Sequence, residues 1–144
     1  MTAGIDLRPM TAADYDDVLA LWGRSEGVGL GASDTRESIG AYLIRNPGLS
    51  QVAVSDTRVV GAVLCGHDGR RGLFYHLAVD RDYRGRGLGR RMAERALALL
   101  KEQGIQKTYI MVFQENHEGR GFWEAAGWEA RRDLVPMCVT LDTP

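Results

Sequence analysis

The chain has 144 residues and a formal net charge of −1, with 44% hydrophobic and 26% charged residues. This length suits one domain over 1–144 with one sizeable core, and the near-neutral balance gives no global field favouring nucleic acid. No apolar run approaches the ~20 residues of a membrane-spanning helix.

Ile5-Asp6-Leu7-Arg8 alternates as a short strand and stops at Pro9. Thr11 with Asp14 three residues on reads as a helix cap, after which Tyr15, Val18, Leu19 and Trp22 fall on one helical stripe. Gly23 to Gly31 breaks that helix. Asp34 with Glu37 reads as a second cap, opening a helix through Ile39, Tyr42, Leu43 and Ile44 that ends before Asn46-Pro47-Gly48. Gln51 to Val54 and Val59 to Cys65, joined at Asp56-Thr57, form a hairpin. The apolar run Leu73 to Val79 is a central strand, and Leu88, Met92, Ala96 and Leu99 define an amphipathic helix closed by Gly104. Thr108 to Phe113 reads as a fifth strand, and a short helix through Phe122 to Ala126 follows. Glu129 to Arg132 and Leu134 to Leu141 are expected to complete the sheet.

Between the central strand and its helix lies Arg84-Gly85-Arg86-Gly87-Leu88-Gly89-Arg90. The first N–H groups of a helix lack intrahelical partners, the helix dipole adds positive charge, and glycine admits a ligand to bare backbone. This is an anion-binding device. Arg84, Arg86 and Arg90 beside a helix N-terminus point to a polyphosphate, because cations are disfavoured there without an anion. Neither a P-loop nor a dinucleotide fingerprint fits, since no Lys-Ser or Lys-Thr follows and the spacing is G-x-G-x-G.

The pattern Arg-x-x-Gly-x-Gly through Arg84, Gly87 and Gly89, preceded by Leu77-Ala78-Val79-Asp80, resembles the pyrophosphate-binding signature of the GNAT superfamily of acyl-CoA-dependent N-acetyltransferases. Phe122-Trp123-Glu124-Ala125-Ala126-Gly127-Trp128 resembles the family's second signature. The resemblance implies an α/β (α+β) fold, a mixed and mostly antiparallel sheet of six to seven strands with helices on both faces and splayed central and fifth strands. It implies acetyl-CoA as cofactor, with CoA as product, and an amine acceptor. The main chain of Leu77, Ala78 and Val79 would hold the pantetheine arm, the turn from Arg84 through Gly85, Arg86, Gly87, Leu88 and Gly89 to Arg90 the pyrophosphate. Asn116, Phe122 and Trp123 would add contacts to the CoA. The segment Gly23 to Ser33 would wall the acceptor site.

Two positions depart from the subgroup that acetylates ribosomal-protein N-termini. Met111 stands where its glutamate base lies, and Trp123 where its tyrosine acid lies. Tyr75, His76 and Glu115 are the candidate replacements, beside the option of an ordered water and no side-chain base. Strand alternation places Tyr75 and His76 on opposite faces, so that only one meets the acceptor. His67, His76 and His117 share no metal-ligand spacing, so no metal is expected. Cys65 and Cys138 form no C-x-x-C, and no secretory h-region follows Met1. Two free, buried thiols in a cytoplasmic setting are the expectation, with direct attack in a ternary complex. An acyl-CoA-binding module without turnover is the rival reading. Edge strands are available for a homodimer, which no motif specifies.

Overall fold

A computed structural model describes residues 4–141, and the chain divides into two compact units, Met1–Phe113 and Gln114–Pro144. The first unit contains β1 (Ile5–Pro9), α1 (Tyr15–Gly23), α2 (Arg36–Arg45), β2 (Gln51–Ser55), β3 (Arg58–His67), β4 (Gly72–Val79), α3 (Leu88–Glu102) and β5 (Thr108–Ile110). Single 3-10 turns precede α1 at Ala12–Asp14, precede α2 at Ala32–Asp34 and follow β4 at Arg81–Tyr83. The second unit contains α4 (His117–Ala125).

The sheet runs β1-β2-β3-β4-β5, antiparallel through the first four strands and parallel between β4 and β5. The parallel step needs a crossover, and α3 supplies it. Helices lie on both faces, as adjacent residues of β3 show. An added Cβ at Gly61 would come within 2.8 Å of Met92 of α3. Ala62, pointing the other way, joins the buried cluster of Val18, Leu21 and Trp22 from α1 and Ile39 from α2. Full burial of a side chain such as Val18, Leu21 or Ile39 contributes about 1.5–3 kcal/mol. On α3 the buried stripe is Leu88, Met92, Ala96 and Leu100, whereas Leu99 is half-buried.

The sheet has five strands among the described residues, not six to seven. Residues 129–141 carry no strand, and Leu134, Val135, Met137, Val139 and Leu141 are exposed. Pro136 sits inside that run and removes a ladder donor, which counters its apolar alternation. The fifth strand also stops early, at Ile110 rather than Phe113. The cause lies in its partner. Between Ala62 and Leu64 of β3 the pairing jumps from Ala78 to Tyr75 of β4, so β4 carries one extra residue there. Such a bulge bends its strand. The β4–β5 ladder accordingly ends at Phe74↔Ile110, and β4 continues to Val79 without β5 beside it.

Candidate active site at the bulge and the glycine turn

The Thr11–Asp14 cap is present: the Thr11 N–H donates to Asp14 Oδ2 at 2.8 Å, and Arg8 grips the same carboxylate through two 2.8 Å bonds. The second cap sits one residue later than the sequence pattern placed it. Thr35, not Asp34, caps α2 by accepting the Ser38 N–H. Asp34 is thereby available for a different partner.

At the turn, Gly85 and Gly87 both hold φ +77, a left-handed conformation that glycine adopts without the Cβ penalty. Gly87 is the N-cap of α3, and Arg91 donates the helical bond back to its carbonyl. An added Cβ at either glycine would meet no protein atom within 4 Å. The side of the turn that these Cβ atoms would occupy is therefore open. Leu88 and Gly89 are buried, so Leu88 serves the core with its side chain and the turn only through its backbone.

Asp80 fixes where this turn leaves the sheet. Its N–H donates to the Val60 carbonyl at 2.8 Å, and its carboxylate accepts from Asp82 N–H, Arg24 and Arg58 at 3.1, 2.9 and 3.4 Å. The Arg24 hydrogen bond, opposed by burial, holds the Asp80 carboxyl below its ordinary value. The arginines of the turn are partly engaged by protein. Arg84 Nε donates to the Val79 carbonyl at 2.9 Å, and Arg86 donates to the Asp82 carbonyl while lying over the Tyr83 ring. Arg90 Nε donates to Glu94 at 3.0 Å. Arg84 and Arg86 thus shape the turn as well as adding charge to it.

The bulge in β4 overturns the expectation that Tyr75 and His76 face opposite ways. His76 sits at φ +55, and a non-glycine residue held there is strained. The rings of Tyr75 and His76 lie 6.2 Å apart; Tyr75 meets Tyr42 of α2 at 6.3 Å, and His76 meets Trp22 of α1 at 4.9 Å. Both side chains therefore enter the layer of α1 and α2. Burial raises the Tyr75 hydroxyl above its ordinary value, so it is protonated at neutral pH, while 37% of the residue remains exposed.

His76 Nε2 lies 2.8 Å from Asp34 Oδ1. The other carboxylate oxygen accepts the Gly31 N–H at 2.9 Å, and the Asp34 carbonyl accepts the Tyr15 hydroxyl at 2.6 Å. Asp34 is buried and fixed at every oxygen. Two buried donors in the same layer, Trp22 Nε1 and the Tyr42 hydroxyl, have no hydrogen-bond partner among the described residues. Buried polar groups are normally paired, so each of these two donors has bonding capacity for a partner from solvent or ligand. The segment between α1 and α2 lies over the end of β5, because an added Cβ at Gly29 would come within 2.8 Å of the Phe113 ring. Pattern reading missed Asp34, Trp22 and Tyr42 as parts of this group; 42 residues separate Asp34 from His76, and no local signal joins them.

Of the remaining candidates, Leu77, Ala78 and Val79 end β4 in the first unit, and Glu115, Asn116, Phe122 and Trp123 lie in the second. Asn116 caps α4, its Oδ1 accepting the Gly119 N–H at 2.9 Å. Trp123 is buried between Phe122 and Trp128, with ring centroids at 5.0 and 4.8 Å. Glu115 is exposed and its carbonyl accepts the His117 N–H. Met111, at the end of the first unit, is 66% exposed and has no titratable group. Only one thiol is buried: Cys138 is exposed, whereas burial pushes the Cys65 thiol up to about 12. Cys65 is therefore no nucleophile at neutral pH. Among the described residues no group of three or more His, Cys, Asp or Glu is placed to hold a metal, and no helix is long and apolar enough to cross a membrane.

This geometry has close counterparts. The model of the Acetyltransferase (GNAT) family matches residues 15–128. An acetyltransferase of Pectobacterium atrosepticum is 31% identical over 137 residues, covering 95% of this chain and 93% of its own. A GNAT-family acetyltransferase of Staphylococcus aureus superposes with a TM-score of 0.79 at 16% identity, over 96% of this chain and 94% of its own. The PaiA N-acetyltransferase of Thermoplasma acidophilum, solved in complex with coenzyme A, superposes with a TM-score of 0.77 at 16% identity, over 88% and 91%.

Proposed function

The chain belongs to the GNAT acetyltransferase family, and from that premise we propose that it moves the acetyl group of acetyl-CoA to a primary amine by direct attack in a ternary complex. The observation that carries this reading is the run from β4 through the turn to α3. Two left-handed glycines open the main chain at the start of α3, and the edge of β4 is unpaired with β5 beyond Phe74. The backbone from Arg84 to Arg90 binds the pyrophosphate, and the backbone of Leu77, Ala78 and Val79 binds the pantetheine arm as an added strand would. A backbone N–H in the bulge polarises the thioester carbonyl as it becomes an oxyanion.

An alkylamine with a lysine-like pKa near ~10 arrives protonated and must lose a proton before it attacks. We assign that step to His76, the titratable imidazole held in the bulge. The neutral amine nitrogen forms a bond to the thioester carbon, and the carbon–sulfur bond breaks. Tyr75 gives its proton to the departing thiolate and regains one from the acylated nitrogen. The products are an N-acetylamine, CoA thiol and one proton that His76 returns to solvent. Asn116, Phe122 and Trp123 of the second unit contact the CoA, and residues 1–144 work as one domain in a cytoplasmic setting. Glu115, which is exposed, is left outside the acid–base chemistry.

The experiment is thermal unfolding with acetyl-CoA, CoA and NADH, followed by thiol release across polyamine, amino-sugar, aminoglycoside and peptide amines. A ligand specific to the folded state raises the melting temperature by mass action. Stabilisation by both CoA species and none by NADH, together with amine-dependent thiol release, supports the reading. CoA binding without thiol release for any amine favours the acyl-CoA-binding module, whose motive is the absence of a titratable group at Met111 and Trp123.

A further inference from the structure

Asp34 has the burial and the bonding of a group that acts through its neighbour. We propose that Asp34 is a positioning residue for the transfer reaction: it holds His76 in the tautomer that carries hydrogen on Nε2, leaving Nδ1 as the atom that takes the amine's proton. This rests on the acetyl-transfer reading above.

The chemistry follows from what each atom can donate. An ionised carboxylate accepts hydrogen bonds and donates none. With Asp34 Oδ2 accepting the Gly31 N–H and Oδ1 lying 2.8 Å from His76 Nε2, the shared hydrogen belongs to the imidazole. A neutral imidazole carries one N–H, so Nδ1 keeps its lone pair. When Nδ1 gains a proton, the adjoining carboxylate stabilises the imidazolium, as in hydrolytic triads where an aspartate orients a histidine.

A simple staple between the α1–α2 segment and the sheet explains less of the geometry. The carboxylate is fixed on its second oxygen by Gly31 and its main chain by the Tyr15 hydroxyl, so its direction is set before His76 is considered. His76 reaches it only because the bulge holds φ at +55, a strained state that a structural contact between two surface-facing groups does not require. The Trp22 ring meets the imidazole edge-on at 4.9 Å and restricts its rotation. The side chain of His76 keeps 16% of its surface accessible, against 9% for Asp34. The histidine is the more accessible member of the pair.

The test uses the full chain labelled with nitrogen-15 in histidine, with acetyl-CoA bound. Long-range nitrogen–proton spectra report the His76 tautomer, assigned with the His76→Gln variant. Wild-type protein is expected to show hydrogen on Nε2, and Asp34→Asn to shift population towards hydrogen on Nδ1. In parallel, thiol release is measured with whichever amine of the panel wild type acetylates. Asp34→Asn is expected to lower kcat roughly tenfold or more, with the KM for acetyl-CoA within about twofold of wild type. In the Asp34→Asn/His76→Gln double variant the aspartate change adds no further loss. Hydrogen on Nδ1 in wild type overturns the proposal without any Asp34 variant. An Asp34→Asn kcat within twofold of wild type overturns it too. Failure of wild type to acetylate any amine would instead sink the acetyl-transfer reading on which the role depends.

Discussion

The two ends of the β4 segment differ in what they present. From Val79 into α3, the glycine turn offers main chain: Gly85 and Gly87 are left-handed, and nothing stands over them. At the bulge between Tyr75 and Ala78, β4 offers side chains, with Tyr75 and His76 turned into the α1–α2 layer against Tyr42, Trp22 and Asp34. A backbone site needs only a local pattern, because glycines and a helix start create it in any context. A side-chain site needs partners brought from elsewhere in the chain. Under the proposed function the difference separates binding from chemistry, and each region should fail in its own way.

The largest effect is expected at the bulge. His76→Gln removes the proposed base, and general-base catalysis is worth roughly 10²–10⁴-fold, so kcat should fall by about 100-fold or more while CoA affinity holds. An unchanged kcat in that variant would return the chemistry to ordered water. Next comes the turn. Gly87→Val puts a branched side chain at φ +77 and into the space over the backbone. Calorimetry should find acetyl-CoA affinity reduced by roughly 100-fold, and the left-handed penalty of ~1–2 kcal/mol should appear separately as a loss of stability without ligand. Retained affinity would remove the pyrophosphate from the turn.

Asp80→Asn tests whether the two regions are held in register. It weakens the Arg24 and Arg58 bonds to a buried group, at a cost of about 1–3 kcal/mol in chemical denaturation. The sign of its pH dependence follows from the lowered carboxyl of Asp80, which Asp14 shares through its hydrogen bonds to Arg8. Their stabilisation is fully present above the ordinary aspartate value of roughly 3.9, and is lost as pH falls through the lower folded-state values. Wild type should therefore lose stability on acidification more steeply than Asp80→Asn, and parallel curves would contradict the assignment. The smallest effect belongs to Tyr75→Phe. We expect kcat to fall by about tenfold with CoA affinity unchanged, since water can relay a proton to the thiolate. Equal turnover would take the hydroxyl out of the reaction.

The same contrast explains how much was legible beforehand. Arg84 to Arg90 could be read in order because glycine spacing and a helix start are local facts, and the alternating and helical runs located β1 to β4 and the first three helices. The bulge could not be read. Leu73 to Val79 alternates no differently from a regular strand, and the extra residue becomes visible only when Tyr75 and Ala78 are registered against Leu64 and Ala62. Hence strict alternation misplaced Tyr75 and His76. Asp34 was misread for a related reason. It lies two residues before α2, beside the N-cap position, but Thr35 takes the cap and leaves Asp34 for a partner 42 residues away. The apolar alternation after Leu134 suggested a strand that Pro136 and the observed exposure do not support.

The central claim is that this chain transfers acetyl from acetyl-CoA to an amine, and amine-dependent release of CoA thiol tests it most directly. Wild-type protein with saturating acetyl-CoA should release thiol in proportion to an added primary amine, with one N-acetylamine formed per thiol. Thiol release that is absent, or that no amine alters, would contradict the account.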